Sequence, residues 1–174
     1  MDKKVIVYGS RYGTTERYAR ALAERTGIEA VPYDAAGDLS AYDTIIYFGG
    51  LYAGGVLGLT KTVGQLAQAK HLIIVTVGLA DPMDKTNTDH IKASLQKQLP
   101  PELYARAEIF HLRGGIDYSR LTLKHKTMMK LLYESVKKRP PEQQNAETRA
   151  MIDTYGQVVD FVDLSALDAV VQAL

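Results

Sequence analysis

Hydroxyls and glycines crowd one short stretch of this chain. Ser10, Gly13, Thr14 and Thr15 follow an apolar run at residues 5–8 and precede a run with helical periodicity. The apolar run reads as a strand covered on both faces. Residues 9–13, GSRYG, then turn the chain, and Thr14 or Thr15 can cap a helix that reaches about residue 26 and stops at Gly27. Unpaired N–H groups of the first helical turn, the positive end of the helix dipole and the hydroxyls of Ser10, Thr14 and Thr15 all converge there. That combination suits a phosphate. A helix cap is the plainer explanation, but one cap needs one hydroxyl and this turn carries more. A dinucleotide fingerprint fits poorly, because Gly9 and Gly13 do not make the G-x-G-x-x-G spacing, and no Walker loop occurs.

Other chemistries are bounded by what the chain lacks. Without cysteine it can supply neither thiolate catalysis, nor disulfides, nor cysteine ligation of an iron–sulfur cluster. Its histidines, His71, His90, His111 and His125, lie far apart and never in metal-ligand spacing, so ordinary surface or strand roles and no metal site are expected. No residue stands out as a general acid or base. No apolar run is long enough to span a membrane, and residues 1–4 lead directly into a strand, so no membrane span and no signal peptide are expected and the chain reads as cytoplasmic. At 174 residues, 46% hydrophobic and 24% charged, it can build one sizeable core, and residues 1–174 read as a single domain without repeats.

Several elements must position the hydroxyl-rich turn. The helix after it presents Tyr18, Ala19, Leu22 and Ala23 on one stripe. A short strand at 29–33 and a loop with Gly37 and Ser40 lead to a third strand at 44–48, which ends in the glycine-rich loop 49–55. A helix with Leu59, Val63, Leu66 and Ala67 inward follows, then a strand at 72–77 that ends in residues 78–82. The next helix starts at Asn87 or Thr88, uses Ile91, Leu95 and Leu99, and is halted by Pro100 and Pro101. A fifth strand at 108–112 closes with residues 113–115. Beyond it the sequence predicts a long helix at 119–139, a polar stretch at 140–145 and a last helix at 163–174, capped by Asp163 with Leu167, Val170, Val171 and Leu174 inward. Continuous apolar strands alternating with helices argue a parallel sheet covered on both faces.

In such a sheet, ligands sit beyond the carboxyl ends of the strands where strand order reverses. Three loops meet that description: 10–15, 49–55 and 78–81. Residues Ile6, Val7, Tyr8, Ser10, Gly13, Thr15, Ala19 and Leu22 fall at the spacing of the flavodoxin signature, and over 6–22 the chain resembles that family without departure. The resemblance implies a flavodoxin-like three-layer α/β/α sandwich around a five-stranded parallel sheet of order 2-1-3-4-5. It also implies FMN as the cofactor. Ser10, Arg11, Tyr12, Gly13, Thr14 and Thr15 would then surround the phosphate, with Gly50, Leu51, Tyr52, Ala53, Gly54, Gly78, Leu79 and Asp81 flanking the isoalloxazine ring. Glycines let backbone approach a flat ring closely. Tyr52 would stack on the ring, or be an ordinary half-buried tyrosine. Arg11 pairs the phosphate or is a surface arginine, and Asp81 orients its loop or is a turn residue before Pro82.

Charge separates this chain from an acidic electron carrier. Its net charge is +1, yet residues 118–139 carry Arg120, Lys124, Lys126, Lys130, Lys137, Lys138 and Arg139 against Glu134 alone, a net +6 that leaves −5 elsewhere. With Leu121, Leu123, Met128, Met129, Leu131, Leu132 and Val136 interleaved, this is a cationic amphipathic segment. It reads either as a core helix with solvated cations or as a docking helix for an anionic membrane surface, an acidic protein or a carboxylate-bearing substrate. Residues 111–118, HLRGGIDY, the basic Met/Leu helix and residues 159–163, VDFVD, resemble the flavodoxin-like branch that includes menaquinone-dependent protoporphyrinogen dehydrogenases. That likeness implies an FMN oxidoreductase with a quinone or porphyrinogen-like substrate, or a redox partner protein, and peripheral contact with the inner face of the membrane. No nucleic-acid partner is expected. Two other readings stand beside it: a flavodoxin-type electron carrier without a substrate of its own, and a cofactor-free interaction module.

Overall fold

In the computed structural model, which describes residues 2–52 and 54–174, the predicted strands lie side by side in one sheet. In chain order the elements are β1 (Lys4–Gly9), α1 (Thr14–Thr26), β2 (Ala30–Pro32), β3 (Thr44–Tyr52), β4 (Gly55–Val56), α2 (Leu59–Leu66), β5 (His71–Gly78) and α3 (Lys85–Gln98). These are followed by α4 (Pro101–Arg106), β6 (Glu108–Arg113), β7 (Gly115–Asp117), α5 (Leu123–Val136), α6 (Ala146–Thr154), β8 (Val158–Asp160) and α7 (Leu167–Gln172). The parallel strands run in the order β2-β1-β3-β5-β6, which is the expected 2-1-3-4-5 once the short antiparallel β4 is set aside.

Register explains why these strands read as unbroken apolar runs. Val5, Ile45 and Leu72 form one row across the sheet and Val7, Tyr47 and Ile74 another, both buried against α2, α3 and α4. The alternate rows, Ile6, Ile46 and Ile73, then Tyr8, Phe48 and Val75, are buried on the other face with Tyr18, Ala19 and Leu22 of α1 and Leu167 and Val170 of α7. Both faces are covered, so neither set of side chains can be polar. The result is the flavodoxin-like three-layer sandwich.

Several expectations are corrected. Gly13, not Thr14 or Thr15, is the N-cap of α1; both threonines lie inside the first turn. The glycine-rich loop 49–55 is mostly strand: Gly49 and Gly50 pair with Thr76 and Val77 of β5, and Leu51 and Tyr52 form a hairpin with β4. Helix α3 starts at Lys85, where Asp84 caps it by accepting from the Thr86 N–H at 2.9 Å. Pro100 and Pro101 end it and at once open α4, since a proline suits a first helical turn. In α2, Leu59 and Leu66 are buried and Val63 packs against the core as expected, but Thr62 is buried with them and Ala67 is exposed. Near the carboxyl terminus Asp163 caps a short 3-10 turn ahead of α7, and Val171 is 38% exposed.

The largest difference lies between β6 and α7. The long helix is a 3-10 turn at Tyr118–Arg120 followed by α5, which Thr122 caps through the His125 N–H at 3.3 Å. The polar stretch at 140–145 leads into α6, and β7 and β8 pair as an antiparallel ribbon. Together these pieces enclose a core of their own, Ile116, Tyr118, Met129, Val136 and Met151, against which Tyr12 and Leu79 of the main body pack.

Candidate functional site

The carboxyl ends of β1, β3 and β5 open into one cavity of about 710 Å³, and α5 and α6 roof it. Its base is the turn after β1. Gly13 sits at φ 94°, a left-handed conformation that costs other L residues dearly, and this bend lets α1 begin without a side-chain cap. Ser10 is turned into the loop, its Oγ accepting from the Gly13 N–H at 3.1 Å. The N–H groups of Thr14, Thr15 and Glu16 find no acceptor among the described residues, as the first turn of a helix requires. Thr14 and Thr15 both line the cavity, Thr15 only 3% exposed. Gly50 permits this closeness: a Cβ there would stand 3.0 Å from Thr15 Oγ1.

The hairpin of β3 and β4 forms a second wall with Gly50, Leu51, Tyr52 and Gly54. It is pinned to α3, where Ser94 Oγ donates to the Gly54 carbonyl at 2.9 Å and Gln98 Oε1 accepts from the Val56 N–H at 3.1 Å. The guanidinium of Arg11 lies 4.6 Å over the Tyr52 ring, and the Tyr52 hydroxyl points at Met128 Sδ, 4.0 Å away. Tyr12 donates to Met129 Sδ at 3.6 Å and meets His125 edge-on at 5.9 Å. Burial raises the Tyr12 pKa, with Tyr52 adding to the effect and Arg11 opposing it.

The third wall is Gly78 and Leu79 at the end of β5. Side chains from elsewhere satisfy its backbone. Arg113 Nε donates to the Leu79 carbonyl at 2.9 Å, and Asn87 Nδ2 donates to the Asp81 carbonyl at 3.0 Å. Glu147, in the first turn of α6, accepts the Leu79 N–H on Oε1 and the Ala80 N–H on Oε2, each at 3.0 Å. The roof brings Met128, Met129, Leu132, Val136 and Met151 to the cavity, with Arg139, Asn145, Glu147 and Thr148 beside them.

Of the residues singled out from the sequence, Arg11, Tyr12, Thr14, Thr15, Gly50, Leu51, Tyr52, Gly54, Gly78 and Leu79 meet on this cavity. Ser10 and Gly13 shape its base without lining it. Asp81 lies outside it and is a turn residue whose Oδ1 accepts from the Met83 N–H at 2.9 Å. Ala53 falls outside the described residues. Sequence reasoning missed Glu147 and the facing of the methionines. The run Asn145-Ala146-Glu147 does carry the signature of a helix start, but nothing local says what the carboxylate reaches. Among the described residues no group of His, Asp and Glu is placed to hold a metal ion. His111 instead pairs its Nδ1 with Thr76 Oγ1 at 2.7 Å, and His71 meets Glu108 at 2.8 Å.

The model of the flavodoxin domain family matches residues 5–144. No curated protein matches the chain. Among solved structures, a mutant flavodoxin from Pseudomonas aeruginosa is similar at 23% identity over 76% of this chain and 95% of its own, with a TM-score of 0.42. Oxidised flavodoxin 1 from Bacillus cereus is similar at 18% identity over 64% of this chain and 84% of its own, with a TM-score of 0.43.

Proposed function

The chain belongs to the flavodoxin domain family, and from that premise we propose that it binds FMN non-covalently and works as an oxidoreductase in electron or hydride transfer. One observation carries this reading: the open N–H groups of the α1 first turn and the Thr14 and Thr15 hydroxyls face the same cavity as the glycine-bearing ends of β3 and β5. The residues fit the cofactor. A phosphate takes the open N–H groups and the helix dipole, while Leu51, Tyr52, Gly78 and Leu79 bound a space for a flat ring. Bound FMN would supply the redox chemistry. The chain's share is to hold the phosphate through Thr14 and Thr15, to fix the ring between its loops, and to exclude water with the methionine-lined roof.

The methionine side of that roof also favours an enzyme whose substrate is largely apolar, such as the quinone or porphyrinogen that the protoporphyrinogen dehydrogenase branch would use, over a carrier that exposes its cofactor to protein partners. Methionine walls adapt to irregular apolar shapes. The test is a fluorescence titration of cofactor-stripped protein with FMN. Wild type is expected to quench the flavin, Thr15→Val to bind about tenfold more weakly through one lost hydrogen bond to a charged group, and Tyr52→Ala to lose quenching. Turnover of a porphyrinogen or quinone by the loaded protein supports the enzyme, and reduction only through a protein reductase supports a carrier. Failure of wild type to bind FMN would sink the reading.

A further inference from the structure

We propose that Glu147 is a resident competitor of the cofactor: its carboxylate holds the ring-side amides of the β5–α3 connection and must be displaced when a flavin seats. The inference rests on the FMN reading above. Its basis is an asymmetry between the two ends of the cavity. At the base, the N–H groups of Thr14, Thr15 and Glu16 are unpaired among the described residues. At the end of β5, both donors are taken, the Leu79 and Ala80 N–H groups each meeting a separate oxygen of one carboxylate at 3.0 Å. The carbonyls of the same connection are taken as well, by Arg113 and Asn87. The phosphate end is thus ready, and the ring end is closed by the chain's own acceptor.

The carboxylate is held in a way that permits exchange. No cation pairs with Glu147 among the described residues; it is stabilised by the two amides and by its place in the first turn of α6, where the helix dipole favours an anion. A flavin's polar edge presents carbonyl and ring-nitrogen acceptors, which want the same donors. Two amides cannot satisfy both at full strength. Amides prefer a charged acceptor to a neutral one, so the exchange is uphill at the hydrogen bonds and is driven by burial of the ring. Apparent affinity in wild type is then the intrinsic affinity multiplied by the fraction of molecules in which the latch is open. Because Glu147 belongs to α6, its release also loosens the roof from the β5 end, so seating of the ring and opening of the roof are coupled. Glu147 lies just beyond residues 5–144, the stretch matched by the family.

The test compares cofactor-stripped wild type, Glu147→Ala and Glu147→Gln in titrations with FMN and with riboflavin, which lacks the phosphate. Glu147→Ala is expected to bind both about tenfold more tightly, leaving the FMN-to-riboflavin ratio unchanged because the effect sits at the ring end, and Glu147→Gln to fall between. Amide resonances of Leu79 and Ala80 supply a second readout: without cofactor they exchange faster in Glu147→Ala than in wild type. If Glu147→Ala fails to fold, Glu147→Gln carries the comparison, since it keeps the shape and one acceptor oxygen. Unchanged or weaker binding by the variants, with Thr15→Val still impaired, overturns the latch and leaves the FMN reading standing. No flavin binding by wild type or variants overturns both.

Discussion

Gly13 shows how one residue can set the base of the site. At φ 94° it bends the chain so that the α1 amides face the cavity, and an alanine there meets the left-handed penalty of roughly 1–2 kcal/mol. Gly13→Ala is therefore expected to lower unfolding free energy by about that amount in urea melts and to weaken FMN binding in the same preparation. His111 makes a prediction in pH. Burial first, and Lys92 second, hold its pKa below the ordinary 6.5, and its Nε2 has no partner. As pH falls through 6.5 the unfolded chain takes up a proton that the folded chain refuses, so stability declines below that point until the folded pKa is reached. Relative to His111→Asn, wild type should lose stability on acidification below 6.5 and hold a constant difference above it; a flat difference throughout would refute the assignment. At this scale the hydroxyls were legible and their roles only partly so. A threonine cap and a left-handed glycine cap leave the same residues in the same order, and Glu147 declares itself only through a contact to residues almost seventy positions away.

Among the elements, the sheet was legible because burial on both faces imposes unbroken apolar runs. The strand at 49–52 was not, since glycines are depleted in strands and only the pairing with β1 and β5 makes Gly49 and Gly50 part of one. The roof was least legible. Strands β7 and β8 are three residues each and pair across some forty positions, and α6 offers only Met151 and Thr154 as buried residues, too few for a clear helical period. Such an element depends on its cap. Asn145 Oδ1 accepts the Thr148 N–H at 2.7 Å, and Asn145→Ala should cost about 1 kcal/mol, felt within the roof. Hydrogen exchange should quicken over 146–154 while β1, β3 and β5 stay protected; uniform change across the sheet would mean that the roof does not move as a separate unit.

At the scale of the whole molecule, the charge division of the sequence becomes a surface. On α5, Leu123 is 82% exposed, Leu131 66% and Leu132 45%, with Lys124 and Lys130 exposed beside them. No helix among the described residues is long and apolar enough to cross a membrane. Each lysine near an anionic surface contributes about 1 kcal/mol, screened over a Debye length of about 10 Å at 0.1 M salt, and burying each exposed leucine contributes about 1.5–3 kcal/mol more. Met128 and Leu132 belong both to this helix and to the cavity wall, so the same contact would bring the mouth of the site against an apolar layer. Co-sedimentation with phosphatidylserine vesicles at low salt, release at high salt, and loss in Leu131→Glu are the expected outcomes. Phosphatidylcholine vesicles should capture little. Failure to bind anionic vesicles at low salt would leave α5 as a roof with a solvated outer face, and would direct the search for partners toward soluble molecules that reach the cavity through water.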